Sequence, residues 1–367
     1  MEFLEDRTAP ATFTVNTIND TQDVTPGDGI AQDANGNTSL RAAIEEGNAD
    51  AANGDHNITI NFNLPQNSVI NLGIALPALN NNFTINGPGT NSLTVQRLTT
   101  AGNFRIFQIN AGMNIGICNL SIANGYAQGQ DGAAAAEGGG IYNAGTLALC
   151  GVDLYDNQAS YSGGAVENSG GSLTMGFCQV GYNQGGEYGG GISNDHAVQA
   201  LIQNTQVFQN TAGEGGGIYN GTNAPLTINS GSQIYNNTAP IITVNNAPWG
   251  GFGGGIFNGG QFTMSNSFLG SNDATKGGGG LFCYAGTSSL DTVTIEQNWA
   301  MDATLGKGGG VYVRAGTTTL TNCTISQNRC GLPGGGTGVC WAAGATLTIN
   351  NPVNITDAIV QDPNPSF

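Results

Sequence analysis

The side chains best suited to chemistry in this sequence are acids and aromatics that recur at one place in a repeating pattern. Glu137, Glu187 and Glu214 stand just before successive glycine runs, and Lys276 and Lys307 take that place further on. Stacked like charges repel unless a cation or a polar ligand lies between them. This row is therefore a candidate binding site, with calcium the candidate cofactor; solvated loop acids are the simpler alternative. Tyr188, Trp249 and Trp299, with Tyr126, Tyr161 and Phe252, fall in or near the turns on the same side. Amphipathic rings on an Asn-rich edge suit sugar stacking or protein binding, local packing of long loops being the alternative. Asp20, Asp23, Asp28 and Asp33 form a second candidate metal group, with alternating oxygens but no recognised calcium spacing.

Catalytic chemistry has weaker support, and no catalytic residue is assigned. His56 and His196 lie far apart in polar loops and read as exposed side chains. Polysaccharide lyases and epimerases need a base, usually Arg or Lys, beside acids or calcium that neutralise a substrate carboxylate. Only Arg314, Arg329, Lys276 and Lys307 fall in the regular repeats, and the outward acids Asp153, Asp156 and Asp291 are spread over distant ones. Of the seven cysteines, Cys118, Cys178 and Cys323 precede an apolar strand residue by two, as Cys150 precedes Val152, so all four are expected to point inward. Coils about 4.8 Å apart would put Cys118, Cys150 and Cys178 within disulfide reach, or leave them as buried thiols. Cys330 and Cys340 flank a Gly-rich loop and are a further disulfide candidate. The absence of Cys-x-x-Cys argues against zinc.

What positions these residues is a repeat. Gly138-Gly-Gly-Ile-Tyr-Asn143 returns at Gly189, Gly215, Gly253, Gly278 and Gly308, with looser copies at Gly163 and Gly336. The following apolar residues, Ile141, Val166, Ile192, Ile218, Ile256, Leu281, Val311 and Val339, are 25, 26, 26, 38, 25, 30 and 28 residues apart. Two more period-two runs follow in each copy, as in Thr146-Leu-Ala-Leu149 and Val152-Asp-Leu154, giving three strands and three turns per repeat. The third run ends on Asn157, Asn183, Asn210, Asn237, Asn272, Asn298 and Asn328. Asparagine tolerates a left-handed turn, and its amide can bond the copy in the next coil. The expected fold is all-β: a right-handed parallel β-helix, its hand following the general preference for right-handed crossovers. Insertions at 124–138 and 237–253 fall at the same turn, on the edge where solenoids usually carry binding loops.

Residues 1–56 are expected to form a strand (Thr12–Asn16), an acidic loop and an amphipathic capping helix. In that helix Thr38 or Ser39 is the N-cap, Leu40, Ala43 and Ile44 face inward, and Gly47 is the stop. Residues 57–350 hold the β-helix, and 351–367 a proline-marked tail whose weak protection leaves an end for association, so a monomer with weak end-to-end contact is expected. Charged residues are only 9% of the chain, Gly is 60 of 367 residues, and the net charge is −17. Solenoid turns explain the glycine, and the acidic field argues against nucleic acid or anionic membrane as partners. No apolar run is long enough to insert in a membrane.

Phe13-Thr-Val-Asn16, Gly27-Asp-Gly29 and Thr38-Ser-Leu-Arg-Ala-Ala-Ile44 together resemble the N-terminal CSLREAI domain found ahead of β-helix repeats in large bacterial surface proteins. That family commonly carries cysteines where this chain has Thr38 and Ala31-Gln32, so no family disulfide is transferred. Leu4-Glu-Asp-Arg7 followed by Pro10 resembles a segment of planctomycete surface proteins, and the repeats resemble those of chlamydial polymorphic outer-membrane proteins. The resemblance, over about residues 4 to 350, implies an extracellular or cell-surface module without catalysis, for adhesion or matrix, presenting a rigid surface to a protein or glycan. A carbohydrate-active lyase or epimerase is the alternative.

Overall fold

A computed structural model describes residues 11–51, 56–129, 134–351 and 354–362. Apart from helix α1 (Leu40–Asp50) and a short 3-10 turn at Ala134–Ala136, the regular elements among these residues are strands. Most coils contribute three principal strands, for example Ile141–Asn143, Thr146–Cys150 and Asp153–Tyr155, and several add a two-residue fourth such as Gln158–Ala159. Each strand pairs in parallel with its counterpart one coil away. The first belongs to a 10-stranded sheet and the other two to a 21-stranded sheet, and the result is a parallel β-helix with a helical cap.

Ile141, Val166, Ile192, Ile218, Ile256, Leu281, Val311 and Val339 follow one another in strict register. All are fully buried, as the fixed spacing after the glycines predicts. Each contributes about 1.5–3 kcal/mol by leaving water. The first glycine of the motif makes the corner before this strand. Gly215 has φ +62, and a Cβ there would lie 2.3 Å from the Ile218 carbonyl oxygen, a distance no side chain tolerates.

The turn at the end of the third run is held by the expected asparagine ladder. Asn183 donates its Nδ2 to Asn210 Oδ1 at 3.0 Å, and its backbone N–H reaches the same oxygen at 2.9 Å. The pattern repeats from Asn157 to Asn328, where Asp357 Oδ2 accepts the last pair. These asparagines do not take the left-handed conformation. The preceding residue does, as in Asp156, Tyr182, Gln209 and Asn236, so turn geometry and amide ladder are divided between two neighbours. A second ladder, not foreseen, runs through Asn143, Asn168, Asn194, Asn220 and Asn258, the last residue of each glycine motif, with Nδ2 to Oδ1 distances of 2.7 to 2.8 Å.

Several expectations are corrected. Helix α1 has Ser39 as its N-cap, its Oγ accepting from Ala42 N–H, but runs past Gly47 to Asp50. Gly47 serves close approach instead, since a Cβ there would meet the Phe83 ring at 2.6 Å. Cys118 and Cys150 face outward, because Ile115, Ile117, Leu147 and Leu149 take the inner face of their strands. Asn119 and Gly151, both at positive φ, then reset the alternation before the next run. Cys150 pairs with Gly176, so Cys178 falls beyond the strand and is buried. All seven thiols are free, and Cys330 donates to the Leu332 carbonyl, unbridged to the buried Cys340. Within the expected tail, Asn354–Ile355 and Ile359–Asp362 add one more rung to the two sheets, while 363–367, with Pro363 and Pro365, lie outside the described residues.

Replacing Asn210 by Ala removes the oxygen that accepts from the Asn183 backbone N–H and Nδ2 and the nitrogen that donates to Asn237 Oδ1 and the Val180 carbonyl, leaving Asn237 Oδ1 only the Asn210 backbone N–H. The expected loss is about 2–4 kcal/mol in urea unfolding. Unchanged stability would mean that turn preference alone maintains this corner.

Candidate functional site

The outward residue of each glycine motif, between its buried aliphatic and its asparagine, forms a column. Gln108, Tyr142, Glu167, Ser193, Tyr219, Phe257, Phe282, Tyr312 and Cys340 stack in register up the 10-stranded sheet. A second column stands before the glycines: Glu137, Ser162, Tyr188, Glu214, Phe252, Gly277 and Lys307 are linked by successive parallel bridges. The true register thus runs Glu137, Tyr188, Glu214. Glu187, grouped with the other two glutamates from sequence, is one residue out of line and lines a neighbouring groove with Gln184 and Thr211.

In the upper half the columns close on each other. Tyr219, Phe257, Phe282 and Tyr312 succeed one another with ring centroids 5.2 to 5.5 Å apart, and Phe252 meets Phe282 at 4.6 Å. At the top, Lys307 Nζ lies 2.7 Å from Asp362 Oδ2, with both side chains buried, and the Tyr312 hydroxyl bonds the same oxygen at 3.3 Å. The insertion at 237–253 forms an antiparallel hairpin, Ile241–Val244 with Ala247–Gly250. It brings Trp249 edge-on to Tyr188 at 5.1 Å.

In the lower half the columns open into a cleft of about 300 Å³. Tyr142, Tyr161, Tyr188 and Tyr219 form its aromatic walls, with Glu137, Asp195 and His196 at its rim. Tyr161 and Tyr188 meet edge-on at 5.4 Å, and Tyr188 and Tyr219 at 4.5 Å. Burial, reinforced by surrounding acids, pushes all three hydroxyls up, so they stay protonated. The floor is Glu167, only 2% exposed, whose Oε2 accepts from Ser162 Oγ at 2.5 Å. Burial pushes the Glu167 carboxyl well above its ordinary value, with Glu137 adding to the rise, against hydrogen bonds from Ser162 and the buried Ser193 that lower it. Glu137 is also raised by burial, against the pull of Arg105. Arg105 is itself engaged: its Nη1 donates to Gln108, its Nη2 to the Ala134 carbonyl, and its guanidinium lies 4.9 Å from the centre of the Tyr142 ring.

Of the residues expected to form a site, Glu137 and Tyr188 line the cleft, and Trp249 and Glu214 border it. Trp299 is elsewhere, on a short sheet in register with Asp273 and Arg329. Tyr142, Glu167, Ser193, Asp195 and Tyr219 went unrecognised, and His196 was read only as an exposed loop residue. For Tyr142, Glu167, Ser193 and Tyr219 the signal was the one variable position inside an otherwise constant motif, whereas Asp195 and His196 follow the motif and had none.

The four N-terminal aspartates do not converge. Asp20 forms a fork with Arg41, with oxygens at 2.7 and 3.1 Å, and accepts from Gly73 N–H. Asp23, Asp28 and Asp33 each accept nearby backbone N–H groups. Among the described residues no group of three or more His, Cys, Asp or Glu is placed to hold a metal ion. Also among these residues, no helix is long and apolar enough to cross a membrane.

No family model and no curated protein matches the chain. Among solved structures it is similar to the A-module of the mannuronan C-5 epimerase AlgE6 of Azotobacter vinelandii, at 14% identity over 88% of this chain and 95% of that one, with a TM-score of 0.39. Nothing of that protein's activity is transferred on such a likeness.

Burial lifts Glu214 to about 8, Lys276 opposing and Glu187 adding to the rise. The folded protein therefore keeps a proton that the unfolded chain releases above its ordinary value of 4.5, and stability is lost as pH rises from about 4.5 to about 8. Glu214→Gln should flatten that part of the melting-temperature profile. Parallel profiles for the two proteins would show that Glu214 ionises freely in the fold.

Proposed function

We propose that this protein is an extracellular surface module that binds a glycan without cleaving it, using the cleft between the two outward columns of the β-helix. The observation that carries this reading is the convergence of four tyrosines and two rim acids in one concave place. Ring faces stack on the apolar faces of sugars, while carboxylates and hydroxyls accept hydrogen bonds from sugar hydroxyls. Successive coils hold each wall residue in sheet register, so little ordering entropy is lost on binding. A cell-surface setting agrees with the resemblance of the N-terminal segment and repeats to bacterial surface proteins. No bound calcium is needed for this binding.

A second reading, a carbohydrate-active enzyme at the same cleft, is favoured by one observation: Arg105 lies near the carboxyls of both Glu137 and Glu167. Against it, the guanidinium is already committed to Gln108, Ala134 and Tyr142, and Glu167 is sealed beneath the floor, where it positions others without touching substrate. A uronate would also bring negative charge to a cleft where acids predominate.

A glycan array followed by calorimetry and product analysis tests the proposal. Tyr188→Ala should weaken binding about tenfold or more, whereas Trp299→Ala, on another face, should leave it unchanged. New reducing ends or unsaturated products would establish the enzymatic reading, and a silent array would overturn both.

A further inference from the structure

The cleft is chemically one-sided, and that restricts the glycan it suits. Its accessible acceptors are Glu137 and Asp195, and its walls are electron-rich tyrosine faces. Its own basic side chains are already engaged, Arg105 over Tyr142 and His196 with its Nδ1 3.0 Å from Asp195 Oδ2. Elsewhere the chain answers similar surfaces with cations from its own sequence: Lys276 Nζ sits 5.0 Å from the Phe252 ring centre, and Arg314 lies 4.9 Å from that of Tyr284. Aromatic faces beside carboxylates attract ammonium groups by the ring quadrupole and by charge together.

Resting on the glycan-binding reading, we propose that the cleft recognises a glycan bearing free, protonated amino groups, an ammonium group lodging between the tyrosine faces and the Glu137 and Asp195 carboxylates. A neutral sugar brings no positive charge to those acids. An N-acetylated one lacks the charge, and a uronate is repelled by a protein of net charge −17.

The test is calorimetry of the full chain with three oligosaccharide series of equal length: glucosamine oligomers, the same oligomers fully N-acetylated, and glucose oligomers. Glucosamine oligomers should bind about tenfold or more tighter than their acetylated counterparts. Glu137→Gln and, separately, Asp195→Asn should each reduce that preference at least about threefold, while Trp299→Ala leaves it unchanged. Equal affinity for all three series overturns the ammonium inference but leaves glycan binding standing. Binding of only the neutral or acetylated series does the same. A glucosamine preference that survives both acid substitutions is general attraction to an acidic protein, and it also overturns the inference. Failure of all three series overturns it too, and a silent glycan array alongside would remove the glycan reading as well.

Discussion

One buried amide per coil holds this molecule in register. A coil of a parallel β-helix has no hairpin to fix its alignment, and a slip of one residue would turn every interior aliphatic outward. The asparagine at the close of the third run prevents this because its oxygen accepts two donors from the coil below, while its nitrogen donates to the next coil and to a strand carbonyl. With both ends of the amide satisfied in a dry interior, displacement in either direction would strand several polar groups at once. At its upper end the ladder finishes on the Asp357 carboxylate, which accepts without needing a further partner.

The surface columns inherit that register. Once Ile141, Val166, Ile192 and Ile218 are locked inward, the residues after them, Tyr142, Glu167, Ser193 and Tyr219, must stand outward in line at the coil spacing. The interior tolerates little variety, since each position touches a copy of itself. The outer column is free to change, and it changes from polar at its lower end to aromatic above. Where rings follow one another they bury each other, and where Glu167 and Ser193 interrupt them the surface opens. The cleft is thus a gap in a stack, walled by the tyrosines on either side of the interruption and bordered by Ala134 and Glu137 and by Trp249 of the hairpin.

The acids separate by burial rather than by sequence neighbourhood. Glu167, on the cleft floor, is pushed well above its ordinary value by burial, and Glu214 is lifted to about 8 by the same cause. The N-terminal aspartates are spent on structure: Asp20 meets Arg41 from α1, and Asp33 draws Asn35 and Asn37 into a turn. A protein with so few basic groups uses several of them in this way, and the cleft keeps a surplus of acceptors.

By itself the sequence determined the repeat, and with it the fold. The glycine motif, the buried aliphatic after it and the terminal asparagine are local and periodic, and each has one physical reason to recur: a left-handed corner, an interior position and an amide ladder. The helical cap was legible in the same way through Ser39 and the apolar face of α1. Tertiary structure alone decided where the outward side chains meet. Glu187 and Tyr188 are adjacent in sequence, yet only Tyr188 stacks in register with Glu137 and Glu214, because register is set by hydrogen bonds to residues about 26 away. Trp299 and Trp249 look alike in sequence and lie on different faces. The outward direction of Cys118 and Cys150 likewise follows from Asn119 and Gly151, whose positive φ breaks an alternation that a linear reading carries through.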